Sequence, residues 1–152
     1  MKANKNVPKN DGADISGFRD TIVEMMKEEL IELIDKKAEE FLALDEDWDG
    51  YGAPKMKQDI IDMTRSFLIN LSNQVDIKNL PSICACGDGG VDIDWNFNQY
   101  PTLLVCLLAS PQKRVSACIE VKYGQYITND EAYDREYKEQ EVINFCIQYF
   151  LM

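Results

Sequence analysis

Val91-Asp92-Ile93-Asp94-Trp95-Asn96-Phe97 decides how the chain is read. Apolar and polar residues alternate there without a break, a period of two that gives a strand one dry face and one wet face. Just upstream, Asp88-Gly89-Gly90 supplies a turn, and Ile83 opens a shorter strand after Pro81. Downstream, Thr102 to Ala109 is apolar on both sides, as a central strand is. Val115, Ala117, Ile119 and Val121 then alternate with Ser116, Cys118, Glu120 and Lys122, with a polar turn from Ser110 to Arg114 between the two. The pattern predicts an antiparallel β-meander of about four strands.

Upstream of Pro81 the period is helical. Ile22, Met26, Leu30, Leu33, Ile34, Phe41 and Leu42 recur at helix spacing between acids and lysines, and Ser16 has the chemistry of an N-cap. A helix from Ser16 to about Leu44 follows. Gly50, Gly52 and Pro54 stop it, and a second helix from about Lys57 to Asn73 carries Ile60, Thr64, Phe67, Leu68 and Leu71 on one side. The short connection predicts a helical hairpin. At the other end, Thr128-Asn129-Asp130-Glu131 matches a capping box, so a last helix is expected to start there and dock Ile143, Cys146, Tyr149 and Phe150 on the sheet. The expected fold is α+β: an N-terminal helical hairpin, the meander, and a C-terminal helix packed on the sheet. Residues 1–14, rich in Lys, Asn, Pro, Asp and Gly, read as a disordered tail, leaving residues 15–152 as one domain.

Composition removes several chemistries. Among 152 residues there is no histidine, so Ser-His and Cys-His nucleophile pairs and imidazole metal ligands are excluded. Five cysteines, an odd number in mostly apolar surroundings, suit reduced core thiols and a cytoplasmic protein. Cys84-Ala85-Cys86 is too tightly spaced for a usual zinc motif. No apolar run reaches the roughly 20 residues of a membrane span. Net charge is −11; residues 11–62 hold 16 acids against 6 bases. Such a surface repels phosphate backbones, so direct nucleic-acid binding is not expected, whereas a protein partner with a basic or grooved surface is.

Two clusters join an aromatic, acids and glycines: Trp48-Asp49-Gly50-Tyr51-Gly52-Ala53, and Asp88-Gly89-Gly90 leading to Asp94-Trp95. Over about Leu44 to Leu108 these segments resemble a set of small, uncharacterised bacterial and phage proteins that share a WDGYGA segment, a proline-led strand and a DGG turn followed by Glu-Trp. Here Asp94 stands where that glutamate stands. The resemblance implies a mobile-element provenance, where small acidic proteins often act by binding other proteins.

Candidate site residues divide by chemistry. Asp45, Asp47, Trp48, Asp49 and Tyr51 form the expected partner-binding patch, since rings with polar tips on glycine-bent loops make rigid anchors. Trp95 shares its side with Ile93 and Phe97 and reads as core, while Tyr100 is a further surface ring. Asp45-Glu46-Asp47-Trp48-Asp49-Gly50 has the D-x-D-x-D-G opening of a calcium loop, but Met56 occupies the place of the bidentate glutamate, so a complete EF-hand is excluded. Asp92 and Asp94 share a strand face about 7 Å apart.

No catalytic residue is assigned and no cofactor is required. The leading expectation is a non-enzymatic interaction module, such as an inhibitor of a host defence system or an antitoxin-like partner. The alternative is a carboxylate-dependent metal-binding protein or hydrolase using Asp49, Asp88, Asp92 and Asp94, and a third is a nucleic-acid mimic.

Overall fold

A computed structural model describes residues 12–97, 99–109, 111–130 and 138–152. Helices α1 (Gly12–Leu42) and α2 (Gln58–Gln74) are followed by strands β1 (Ser82–Ala85), β2 (Val91–Trp95), β3 (Thr102–Leu108), β4 (Arg114–Lys122) and β5 (Gln125–Asp130), then α3 (Glu139–Phe150). The strands form one antiparallel sheet in chain order, so β3 is central as its two-sided apolarity predicts. The α+β expectation holds. No helix among the described residues is long and apolar enough to cross a membrane.

All three helices pack on one side of the sheet. The dry residues of the meander are buried there, among them Ile83, Ile93, Trp95, Leu103, Val105, Ala117 and Ile119, against Phe67, Leu68 and Leu71 of α2 and Val142, Ile143 and Cys146 of α3. Trp95 is fully enclosed; its Nε1 donates to the Asn79 carbonyl at 3.1 Å, and its ring meets Phe150 edge-on at 5.2 Å. Arg65 ties α2 to Asp35 of α1, and Asn70 and Gln74 of α2 reach Glu139 and Gln140 of α3. The opposite side of the sheet carries Asp92, Asp94, Leu104, Cys106, Ser116 and Cys118, all half-buried.

Several boundaries differ from the expectations. Among the described residues the sheet has five strands, because Gln125–Asp130 pairs with β4 (Ile127 with Ile119, Thr128 with Cys118) where a helix was expected. The Tyr123-Gly124 turn, with Gly124 at φ 78°, folds this segment straight back on β4. Once it does, ladder hydrogen bonds and cross-strand packing outweigh the local capping chemistry of Thr128. Helix α3 therefore starts at Glu139.

At the other end α1 begins at Gly12, four residues before Ser16, so Ser16 is not its N-cap. Of the expected tail, residues 1–11 lie outside the described residues, and 12–14 are helical. Helix α1, with 31 residues against 17 in α2, overshoots its partner by roughly 20 Å. Leu30, Ile34 and Phe41 are buried against α2, whereas Phe18, Ile22 and Met25 stay exposed, Ile22 contrary to the expected face. Phe97 also leaves the dry side: β2 ends at Trp95, Asn96 turns at φ 57°, and Phe97 is 69% exposed.

Candidate interaction loop and the acidic sheet face

The segment between α1 and α2 is a hydrogen-bonded loop built by its own aspartates. Asp47 enters the left-handed region at φ 61°; its amide donates to the Ala53 carbonyl at 2.8 Å, and its carbonyl accepts from Gly50 N at 3.0 Å. Its Oδ1 accepts from Gly52 N at 2.6 Å. Asp49 Oδ1 accepts two amides, Tyr51 N at 2.8 Å and Ala53 N at 3.1 Å. Gly50 and Gly52 sit at φ 78° and 86°, where a side chain would be strained, so the sequence needs glycine at both.

The loop is anchored at both ends. Ala53 and Met56 are buried in the core. Lys55 reaches back to the carbonyls of Leu42 and Leu44 at 3.3 and 3.1 Å, occupying orphan acceptors at the end of α1 with a cation the helix dipole favours.

What this frame presents is Tyr51, 94% exposed at the tip, with Asp45, Glu46 and Asp47 exposed beside it. Trp48 is half-buried, its indole N–H enclosed and without a hydrogen-bond partner among the described residues. Trp48 is thus the foot of the loop and Tyr51 its tip. Tyr100 is half exposed, away from the core that encloses Trp95.

The second motif lies directly against the first. In the β1–β2 turn, Cys86 N donates to the Gly90 carbonyl, Gly89 N to the Cys86 carbonyl, and Gly90 N to Asp88 Oδ1. A Cβ placed on Gly87 would stand 2.9 Å from Asp49 Oδ2, and one on Gly89 would stand 3.3 Å from Pro54 Cγ. Glycine there lets the α1–α2 loop and the turn approach to contact. The spacing of Asp49 and Gly87 along the chain gave no hint of this, nor of the part Lys55 plays. A lysine just after the Gly52-Ala53-Pro54 loop exit was the one available signal.

Beyond the turn, on the open sheet face, Asp88 and Asp92 border a hollow of about 320 Å³ with Cys86, Cys106, Arg114 and Ser116. Burial pushes the Cys86 and Cys106 thiols up to about 12, reinforced by their hydrogen bonds to Asp92 and its charge. Both thiols are therefore protonated at neutral pH and poor nucleophiles. Asp94, one step along β2, is raised above the usual carboxylate range by burial and then by repulsion from Asp92. Of the four aspartates considered for a metal, Asp88 and Asp92 share the hollow, while Asp49 lies against Gly87 with one oxygen committed to its own loop. Among the described residues, no three Cys, Asp or Glu side chains stand together as a set of metal ligands.

No family model, curated protein or solved structure matches the chain.

Proposed function

We propose that the chain is a non-enzymatic, acidic protein-interaction module of bacterial or phage origin, acting in the cytoplasm. It meets a protein partner with a basic or grooved surface, as an inhibitor of a host defence system or an antitoxin-like protein would. The contact patch is Asp45, Asp47, Trp48, Asp49 and Tyr51 with the adjoining β1–β2 turn. The observation that carries this reading is the almost complete exposure of Tyr51 on a loop whose aspartates hold its backbone rigid. A pre-ordered ring pays little entropy on binding, and tyrosine is among the residue types enriched at interface hot spots. The three consecutive acids before Trp48 add long-range attraction to a basic surface.

The test is capture from bacterial lysate on the immobilised full chain, beside a Tyr51→Ala variant, at low and high salt. The expected result is a basic protein retained at low salt, released as screening rises, and bound roughly 30-fold more weakly by the variant. Equal capture by the variant, or no capture at low salt, overturns the reading.

A further inference from the structure

We infer that β5 is a self-association edge, at which a second copy of this chain adds its own β5 antiparallel across a two-fold axis. The inference is independent of the partner-binding loop. Among the described residues, strand β5 is outermost in the sheet and pairs only with β4, which leaves a row of its backbone donors and acceptors facing away from the sheet. The opposite edge, β1, is only four residues long and has α1 packed against it. The helix layer packs on β1 to β4, and Ile127, on the helix side of β5 opposite Ile119, is left 44% exposed. Tyr126 on the other face is 60% exposed.

Edges of this kind are normally blunted by lysine, proline or an inward charge. From Tyr123 to Asn129 the sequence has none of these and no charged residue; the one charge in β5 is Asp130 at its end, and the register shift in the ladder lies on β4, between Glu120 and Lys122. In a chain of net charge −11, most surfaces repel their own copies, and this neutral strip is where two can meet.

The occupant follows from the chemistry of the edge. Unpaired backbone groups select another strand, and β5 complements itself. With the axis at Ile127, Tyr126 faces Thr128 of the copy, Gln125 faces Asn129, and the two Ile127 side chains come together on the helix side. No like charges are opposed. Such an isologous pairing closes at two copies and yields one ten-stranded sheet.

The full chain is tested by sedimentation over a range of concentrations and salt, with Ile127→Lys and Thr128→Lys as edge variants. Both positions are exposed, and circular dichroism checks that each variant folds. The expected result is a mass that rises to two copies with concentration. Association should tighten with salt as self-repulsion is screened, the opposite sign to the acid-driven partner complex. Either lysine should weaken it by at least about tenfold, and amides 125–129 should gain exchange protection only in the associated form. A monomer at every concentration and salt, or association insensitive to both lysines, overturns the inference. So does protection of 125–129 that does not depend on concentration, as cover by the same chain would give.

Discussion

Asp49→Ala tests the loop where its construction is most concentrated. One carboxylate oxygen accepts two amides, Tyr51 N at 2.8 Å and Ala53 N at 3.1 Å. The first amide is exposed and rehydrates when the acceptor is removed, so its loss costs about 0.5 kcal/mol. The second is partly enclosed beside Ala53, itself 1% exposed, and an amide left there without an acceptor costs about 1–2 kcal/mol. The expected destabilisation is therefore about 2 kcal/mol, a fall of roughly 4–8 °C in melting temperature for a domain of this size. Asp49→Asn keeps a neutral acceptor and should cost about half as much. The assay is urea denaturation followed by circular dichroism, with hydrogen exchange of the Tyr51 and Ala53 amides as the local readout. In Asp49→Ala both amides should exchange faster while amides of the β3–β4 ladder keep their order of protection. A change under about 0.5 kcal/mol with unaltered exchange at Tyr51 and Ala53 would refute the idea that this carboxylate frames the loop.

Three further outcomes follow from the core and the open face. Trp95→Phe removes the indole that donates to Asn79 and packs on Phe150, and should cost about 2–3 kcal/mol of unfolding free energy, read by urea denaturation; a cost near zero would mean that Trp95 is not the keystone between β2 and α3. At pH 8 a disulfide reagent should modify the exposed Cys84 first, and Cys84→Ser should abolish that fast phase. Cys86, Cys106 and Cys146, all pushed up to about 12 by burial, should react only on unfolding, and fast native labelling of any of the three would contradict the structure. Asp94, whose pKa is raised on folding, binds its proton more tightly in the native state, so its contribution to stability declines as pH rises from the ordinary carboxylate range through the raised value. Asp94→Asn should thus stabilise the protein slightly at neutral pH, an effect that fades in acid, where the carboxyl is protonated in both the folded and unfolded chain; a loss of stability at neutral pH would reverse the sign of the reasoning.

Much of the architecture was legible because it is written in periodicity. Alternation along Val91 to Trp95 gave both faces of β2, and helical spacing gave α2 nearly to the residue. The misreadings share one cause. Thr128 looks like a helix cap only while Cys118 is ignored, and Ile22 looks like core only while the length of α2 is ignored. Phe97 continued the alternation on paper, but Asn96 turns the backbone first. In each case local chemistry was overruled by something outside the window that was read.

The sequence alone determined which residues are dry, where the chain bends and which reactions are out of reach, since histidine is absent and the glycines and prolines mark the turns. Those properties depend on neighbours a few bonds apart. Only the tertiary structure decided that one oxygen of Asp49 stands against Gly87 while the other frames its own loop, that Asp88 and Asp92 border one hollow, and that β5 is the outermost strand among the described residues. Such contacts join segments far apart along the chain, and their geometry is fixed by how helices and sheet pack, which no local pattern encodes.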